Sequence, residues 1–333
     1  MKKQKLTIAI PVYNEAEALA DFHQRISSVI ERIVDEFPLE IDLIYVNDGS
    51  RDATYSVMER LEAGRFKLQL INFSRNFGKE AALSAALDHC HDSAIVFLDG
   101  DGQHPPEMLP DFIKHWLYDE ADVIFAVQAK RQDGFIKQRF VGAFYRLINA
   151  GSRFEIPKNA ADYKLLSPRA MQALKDCPEK VRFFKGLSSW IGFKQVSIPY
   201  TPEARIAGST KWSFLKLIAL SSEGVISFSV VPLRATMLLG FFIALSASIY
   251  GFWIIFQFFF LGYSLPGYSS LITATVFLGG VELVMLGILG EYIGHILREV
   301  KSRPVYIVAE KSEKPRIDSD EATRQEQYAV YRG

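Results

Sequence analysis

Short apolar runs alternate with amphipathic stretches along the first 130 residues of the chain. The runs are rich in β-branched and aliphatic residues, which is typical of strands, and the stretches between them carry helical patterns. The predicted strands are LTIAIPV (6–12), IDLIYVN (41–47), KLQLINF (67–73), SAIVFLD (93–99) and ADVIFAV (121–127), and the predicted helices cover 15–34, 52–63, 79–90 and about 106–116. This alternation predicts an α/β fold with a parallel, doubly wound sheet and helices on both faces.

From Phe135 to Lys194 the spacing of apolar residues is typical of helices. A stretch of mixed apolar and polar residues follows, and then a long apolar region begins. Residues 212–232 combine apolar positions with Lys216 and Glu223. We interpret this stretch as amphipathic helices lying on a membrane surface. An ordinary helix packed on a soluble core is the alternative.

Two long apolar segments follow. Ala235 to Leu261 is about 27 residues without a charge. As a helix it would be about 40 Å long, and a hydrocarbon core is about 30 Å thick. The second segment, Leu271 to Leu297, is interrupted by few polar residues, among them Glu282. We predict a two-helix transmembrane hairpin; buried helices of a soluble protein are the alternative.

The charges that flank the hairpin predict its orientation. Arg234 precedes the first segment, Arg298 and Lys301 follow the second, and the loop between them (262–270) has no Lys or Arg. Positive flanks remain in the cytoplasm. The prediction is a plasma-membrane protein with four parts, namely a catalytic domain (1–211), interface helices (212–232), a hairpin (233–298) and a cytoplasmic tail (299–333). The tail after Tyr306 is charged and poor in apolar residues, which predicts flexibility.

The charge balance and the cysteine count argue against a nucleic-acid partner and against a disulfide-stabilised fold. Lys plus Arg number 38 and Asp plus Glu also number 38, so no global basic field favours nucleic acid. Cys90 and Cys177 are the two cysteines. They lie far apart in the sequence, which indicates a reducing compartment without a disulfide framework.

The residues that follow the predicted strands are polar. Ligands of doubly wound sheets bind beyond the carboxyl ends of the strands. Here those ends read PVYNE, NDGS, SRNFGKE and DGDGQ. No GxxxxGK[ST] loop is present, and no GxGxxG loop follows the first strand, so a nucleotide would be held in another way.

Asp99 and Asp101 form the sharpest of these motifs, with Gln103 close by. Their oxygens are hard ligands of the kind that Mg²⁺ or Mn²⁺ prefers. Taken alone, the two aspartates are explained equally well as part of a turn around Gly100 that binds no metal. A phosphoaspartate site is disfavoured, because the Thr expected shortly after such a nucleophile is missing.

The other strand ends have side chains suited to a nucleotide. Asp48 could accept from a base or a ribose hydroxyl, Tyr13 could stack on a base, and Glu15 could reach a ribose. Asn76 and Lys79 stand where a helix starts, a favourable place for a phosphate. Helix capping by Asp48 and a solvated Lys79 are the alternatives.

Several motifs, taken in order, resemble the polyprenyl-phosphate glycosyltransferases, inverting GT-A enzymes of the dolichol-phosphate mannose synthase type. These motifs are IPVYNE, VNDGS, RNFGKE, DGDGQHPPE, EARIAGSTKW and GILGEYIGHILREVKSRPVYIV, and they span about residues 5 to 308. NFGKE, KGLSSWIG and EGVISFSVVPLR are most similar to bactoprenol glucosyltransferases. Members of that group transfer glucose from UDP-glucose to undecaprenyl phosphate for O-antigen glucosylation.

The resemblance implies a GT-A (Rossmann-like) domain and a role for each matching residue. Asp101 and Asp162 would be catalytic, with Asp162 near the reacting sugar. The implied nucleotide residues are Pro11, Tyr13, Glu15 and Asp48; the implied metal ligands are Asp99, Asp101 and Gln103; the implied loop over the diphosphate and lipid phosphate carries Arg205, Ser209 and Lys211. A homo-oligomer is implied as well.

Two positions depart from the pattern of the family. Relatives often have Gly-Val-Arg where this chain has Ala126-Val127-Gln128, which leaves Arg131 as the nearest cation. Lys164 stands where relatives have Arg. Lysine keeps the charge but loses the bidentate fork.

The chemistry of a phosphate acceptor agrees with this interpretation. A phosphate monoester has a second pKa of about 6 and is largely dianionic near neutrality, so it needs cations more than a base. Arg131, Lys164, Arg205 and Lys211 could supply them, and Asp162 would orient the acceptor or sugar during direct displacement with inversion. The sugar itself stays open, since mannose or a modified sugar fits the same motifs.

Three other classes fit less well. A processive polysaccharide synthase would carry a QxxRW motif, which is absent from the sequence. A sugar-lipid flippase would leave the acidic strand ends unexplained. A non-catalytic nucleotide-sugar-binding scaffold predicts a broken metal pair, whereas Asp99 and Asp101 are both present.

Overall fold

The computed structural model describes residues 3–100, 102–128, 142, 160–180, 182–201, 230–261 and 267–317. These residues divide between two compact units. One unit holds an α/β sheet, and the other holds two long apolar helices.

Among the described residues, eight strands form one mixed sheet in the order β7-β5-β6-β4-β1-β2-β3-β8. The strands are β1 (Gln4–Val12), β2 (Leu39–Asn47), β3 (Lys67–Phe73), β4 (Ala94–Phe97), β5 (Val123–Gln128), β6 (Ala160–Leu166), β7 (Gln195–Tyr200) and β8 (Val308–Lys314). The five strands predicted from the apolar runs are confirmed as β1 to β5, with ends that shift by up to two residues.

The helices of this unit follow the strands in alternation. They are α1 (Leu19–Glu36), α2 (Thr54–Arg60), α3 (Lys79–His89), α4 (Leu109–Leu117), α5 (Pro168–Lys175) and α6 (Phe184–Trp190), with a 3₁₀ turn at Pro106–Met108 before α4. The helices predicted between the first five strands are confirmed as α1 to α4.

The two faces of β1 show the doubly wound arrangement. Ile8 and Ile10 join the buried cluster that contains Phe22 of α1. Thr7 points to the opposite face, where its hydroxyl lies 3.4 Å from the thiol of Cys90, the residue that follows α3. Because successive side chains of a strand alternate, α1 and α3 cover opposite faces of the sheet.

The five predicted strands run in one direction, as expected, but the sheet as a whole is mixed because two further strands, β6 and β8, run against them. β1, β2, β3 and β4 run parallel, and so do β5 and β7, but β6 lies antiparallel between β4 and β5. The sequence pattern did not predict β6, because Asp162 and Lys164 interrupt its apolar run. This strand inserts charged side chains into the middle of the sheet.

The prediction of a flexible tail is wrong for residues 308–314. β8 pairs antiparallel with β3 along the edge of the sheet, with Leu68 opposite Lys314. The salt bridge from Lys67 to Glu313 has an N–O distance of 2.8 Å. The charged side chains that suggested disorder belong instead to an exposed edge strand, where charge discourages pairing with other chains.

The second unit contains α7 (Val231–Leu261) and α8 (Tyr268–Val300). Both helices are long and apolar enough to cross a membrane, with candidate spans at Val231–Ile254 and Ser270–Val300. Large side chains such as Phe252 and Leu283 are exposed on them. The two predicted apolar helices are confirmed as helices, and the predicted interface helices (212–232) lie almost wholly outside the described residues.

Candidate active site

Asp99 and Asp162 meet because β4 and β6 run in opposite directions. Phe97 lies opposite Lys164 in their register. Asp99 lies two residues after Phe97, and Asp162 lies two residues before Lys164. The antiparallel pairing therefore brings to one place two carboxylates that are separated by 63 positions in the sequence.

Lys79, the first residue of α3, bridges these carboxylates. Its ammonium lies 2.6 Å from Oδ1 of Asp99 and 2.7 Å from Oδ2 of Asp162. Burial alone would lower the pKa of Lys79, but Asp162 and Asp99 outweigh it and hold the pKa above its ordinary value. Lys79 therefore lies at the strand-end site and is paired with carboxylates there, and its contact with a phosphate remains a prediction.

Asp162 is held by cations on both of its oxygens. Lys185 of α6 lies 3.5 Å from Oδ1, opposite Lys79. Burial would raise the pKa of Asp162, but Lys185, Lys79 and Lys164 hold it well below its ordinary range. A carboxylate with so low a pKa is a weak base, and it remains an anion at every physiological pH.

Lys164 lies deeper than the sequence suggested. Its side chain is 3% exposed, and its ammonium donates to the hydroxyl of Ser188 at 3.0 Å. Burial lowers the pKa of Lys164 to about 8, against the raising effect of Asp162. An ammonium in this position supports Asp162 from inside the protein and is not exposed to an incoming lipid phosphate.

Glu80 is a second buried acid of the cluster. It accepts a hydrogen bond from the backbone N–H of Phe184 at 3.2 Å, which ties α3 to the start of α6. Burial and the charge of Asp162 together raise the pKa of Glu80 to about 7, against the lowering effects of the Phe184 N–H and of Lys164. The group therefore titrates near neutrality.

We expect Glu80→Gln to flatten the dependence of stability on pH. Because the folded state raises the pKa of Glu80, it holds that proton more tightly than the unfolded chain. The stability gained from this proton is complete below about pH 4.5 and is lost as the pH rises through about 7. Thermal melting of the purified protein from pH 5 to 8 should show a decline in the wild type that is smaller in Glu80→Gln.

The matched control for this measurement is Glu17→Gln, a change at an exposed carboxylate. Its melting curve should follow the wild type at every pH. An equal decline in wild type and Glu80→Gln would show that Glu80 is not the titrating group.

Asp48 lies at the same sheet edge, directly after β2. It is 4% exposed, and its carboxylate accepts hydrogen bonds from the backbone N–H groups of Phe77 at 2.7 Å and Gly78 at 3.0 Å. The Asn76 amide also donates to it at 2.9 Å. Burial raises the pKa of Asp48, and the two backbone donors oppose that rise. In this structure Asp48 holds loop 74–78, which is closer to the capping alternative than to a free nucleotide ligand.

Gly49 lets this loop approach the end of β2. Its φ is +59°, and an added Cβ would lie 2.2 Å from the carbonyl carbon of Arg75. A residue with a side chain cannot occupy this position, because its Cβ would collide with main-chain atoms and because a positive φ favours glycine. Close packing of the two strand ends is therefore built into the NDGS motif.

The end of β1 supplies the remaining nucleotide candidates. Tyr13 is 39% exposed, as a residue that stacks on a base must be. Glu15 lies against the end of β4, where a Cβ on Gly100 would meet its Oε2 at 2.8 Å. Pro11 is the penultimate residue of β1. These three residues stand at the predicted edge, and their nucleotide contacts remain predictions.

The predicted metal site is described in part. Asp99 and Gln103 are described, whereas Asp101 lies outside the described residues. His104, which the sequence analysis did not single out, lies 3.5 Å from Asp99. Within the described ranges, no group of three His, Cys, Asp or Glu residues could hold a metal ion. The oxygen donors that are present fit a hard divalent cation.

Several predicted phosphate ligands cannot be placed. Arg131, Arg205, Ser209 and Lys211 all lie outside the described residues. Sequence reasoning in turn missed Glu80, Lys185 and Ser188 as members of the cluster. KGLSSW was noticed as a motif, but nothing in its pattern shows that its lysine reaches Asp162.

Comparison with known proteins identifies the family. The family described as Glycosyl transferase family 2 matches residues 7–170, and the one described as GtrB C-terminal hairpin matches residues 231–296. A prophage-derived bactoprenol glucosyl transferase of Shigella flexneri is 38% identical over 91% of this chain and 97% of its own. The chain belongs to glycosyltransferase family 2.

Other relatives of this glycosyltransferase extend over similar lengths. A prophage bactoprenol glucosyl transferase homolog of Escherichia coli is 39% identical over 91% of this chain and 98% of its own. An uncharacterized glycosyltransferase of Synechocystis is 37% identical, with coverages of 92% and 95%. The resemblance to bactoprenol glucosyltransferases and the prediction of an enzyme are thereby confirmed.

Together with the mixed α/β sheet, the family match confirms the predicted GT-A fold class. In this glycosyltransferase the matched region, residues 7–170, includes the strand ends and Asp162. The cluster around Lys79 therefore lies within the glycosyltransferase region of the chain.

Proposed function

We propose that this enzyme transfers a sugar from a nucleotide sugar to a polyprenyl phosphate by inverting displacement. The proposed donor is UDP-glucose and the proposed acceptor is undecaprenyl phosphate. The relatives named as bactoprenol glucosyl transferases support both choices. The product would serve O-antigen or other cell-envelope glycan modification.

The observation that carries the proposal is the position of Lys79 between Asp99 and Asp162. The reaction brings two phosphate-bearing molecules together at one carbon, so it needs fixed cations at the edge of the sheet. Lys79 faces that edge with its side chain 38% exposed. Its two carboxylate partners keep the ammonium charged and in place.

The proposed chemistry needs little help from a base. An oxygen of the dianionic lipid phosphate attacks the anomeric carbon, the bond from that carbon to the diphosphate oxygen breaks, and its electron pair leaves with the nucleotide. The acceptor is largely deprotonated at neutral pH. Asp162, whose pKa is well below its ordinary range, orients Lys79 and Lys185 rather than removing a proton.

Mg²⁺ or Mn²⁺ would be held by Asp99, Asp101 and Gln103 in this proposal. Such an ion, when bound, stabilises the charge of the leaving diphosphate. Oxygen donors at Asp99 and Gln103 suit a hard cation, which is the support that the described residues offer. Arg131, Arg205, Ser209 and Lys211 remain the proposed ligands of the diphosphate and the lipid phosphate.

The hairpin is proposed to anchor the enzyme in the bacterial plasma membrane, with the catalytic unit in the cytoplasm. The lengths and apolar character of α7 and α8 support this, together with the positive residues that flank them. A long polyprenol stays in the bilayer, so an anchored enzyme meets its acceptor there. A homo-oligomer formed through the hairpin is part of the same proposal.

A transfer assay with labelled donors tests the function. Protein purified in detergent receives undecaprenyl phosphate, Mg²⁺ or Mn²⁺, and one member of a panel of UDP- and GDP-sugars. We expect a labelled lipid product from UDP-glucose, and at least about a tenfold loss of product when EDTA removes the metal. Omission of the lipid is the control that separates transfer from hydrolysis.

The donor panel also tests the second candidate, in which another nucleotide sugar is the donor. The motifs of the chain leave the sugar open. Product from GDP-mannose or a modified sugar alone would overturn UDP-glucose and keep the reaction. Absence of a lipid product from every donor would overturn the polyprenyl phosphate acceptor.

A further inference from the structure

The segment that follows the second apolar helix packs beside the active-site loop. β8 pairs with β3, and their register shifts at the end of β3, where Asn72 lies opposite Glu310 and Phe73 opposite Val308. A bulge of this kind redirects a strand and is common next to active sites. Here it lies where β3 passes into loop 74–78.

Tyr306, just before β8, contacts this loop through an aromatic cluster. Its ring stacks on Phe73, with centroids 5.0 Å apart and planes 13° apart. The ring of Phe77 meets the ring of Phe73 edge-on, with centroids 5.8 Å apart. Next to Tyr306, the carbonyl of Ile307 accepts a hydrogen bond from the backbone N–H of Ser74 at 3.0 Å. The start of the loop is thus tied to the segment by both ring and backbone contacts.

The hydroxyl of Tyr306 reaches the other end of α3. It donates to Oδ2 of Asp88, in the last turn of that helix, at 2.9 Å. The first residue of the same helix is Lys79, which lies between Asp99 and Asp162. One side chain therefore contacts both Phe73, from which the loop leading into α3 begins, and the last turn of α3.

We propose that Tyr306 is a positioning residue for the glycosyl transfer, acting through α3 on Lys79. Asp48 holds loop 74–78 from the side of β2, and Tyr306 acts on it from the side of β8 through Phe73, whose ring contacts Phe77 of the loop. With both contacts in place, α3 begins at a fixed point and the ammonium of Lys79 stays on its two carboxylates. The kinetic part of this proposal rests on the proposed function, whereas the structural part does not.

The test compares Tyr306→Ala and Tyr306→Phe with Lys314→Ala in the full-length protein. Lys314 anchors the far end of β8, where its ammonium donates to the carbonyls of Glu59 at 2.7 Å and Leu61 at 2.5 Å. Both alanine changes remove contacts of the β8 segment, but Tyr306, unlike Lys314, stacks on Phe73, the residue that leads into loop 74–78. Tyr306→Phe keeps the stacked ring and removes the bond to Asp88.

Hydrogen exchange of peptides that cover residues 74–79 is the first readout. We expect faster exchange there in Tyr306→Ala, a smaller change in Tyr306→Phe, and wild-type rates in Lys314→Ala. The second readout is kcat/KM for the nucleotide sugar, which should fall about tenfold in Tyr306→Ala and stay within about twofold in Lys314→Ala. Melting temperatures show how much of each loss comes from unfolding.

Two results would overturn the positioning role. One is equal acceleration of exchange at residues 74–79 in the two alanine variants. The other is a loss of activity in Tyr306→Ala no larger than its unfolded fraction. Exchange is measured without substrate, so a wild type that transfers no sugar contradicts the proposed function while the exchange result still decides the role of Tyr306.

Discussion

Lys79→Met is expected to lower kcat by about a hundredfold, the loss that follows removal of one well-placed electrostatic contact from an active site. The substitution keeps the length of the side chain and removes the charge that lies 2.6 Å from Asp99 and 2.7 Å from Asp162. The two carboxylates then repel each other, and the edge of the sheet loses a cation that faces the donor. Steady-state transfer at saturating lipid measures the effect.

Two further variants make this measurement specific. Lys114→Met removes a surface ammonium that lies 3.2 Å from Glu36, and it should leave turnover unchanged. Lys79→Arg keeps the charge and should recover part of the activity, although its planar head fits the site less well. Full activity of Lys79→Met would contradict the role of Lys79 in the reaction.

The parts of the fold that sequence predicts well are those whose pattern is local. β1 to β5 are apolar runs with helical stretches between them, and their polar ends follow directly in the sequence. Asp48, Lys79 and Asp99 could therefore be predicted to meet, because parallel strands bring their carboxyl ends to one edge. The direction of a strand cannot be predicted in the same way, because the residues of a strand do not specify which neighbouring strand it pairs with.

β6 shows why the strand and the charged partners at the centre of the site could not be predicted from the local pattern, although the family resemblance had singled out Asp162 and Lys164. A central strand is expected to be apolar, yet this one carries Asp162 and Lys164 toward the cluster. Their charges are tolerated because Lys79, Glu80 and Lys185 supply opposite charges from α3 and α6. Those partners come from distant segments, so no pattern within residues 160–166 reveals them.

β8 could not be predicted for the opposite reason. Its sequence, VAEKSEK, has the composition of a flexible segment. An edge strand needs little apolar area, because the neighbouring strand supplies its hydrogen bonds and charged pairs such as Lys67 with Glu313 form across it. Composition alone therefore does not separate an exposed edge strand from a disordered tail.

Asp162→Asn is expected to lower kcat by about a hundredfold to a thousandfold, with UDP affinity within about twofold of the wild type. The amide keeps the shape of the carboxylate but no longer balances Lys79, Lys185 and Lys164, which then repel one another. In the proposed reaction, Lys79 and Lys185 then lose the fixed positions from which they would bind the phosphates. Single-turnover transfer and UDP titration, with Asp176→Asn as an exposed-carboxylate control, separate chemistry from donor binding.

The pH dependence of this loss distinguishes orientation from proton removal. Below about pH 6 the acceptor phosphate keeps a proton, whereas at pH 8 it is a dianion. If Asp162 removed that proton, the ratio of wild-type to Asp162→Asn activity would rise toward low pH. Because Asp162 is held as an anion by the neighbouring lysines, we expect the ratio not to rise as the pH falls toward 6. A ratio that rises toward pH 6 would make Asp162 a general base and overturn its orienting role.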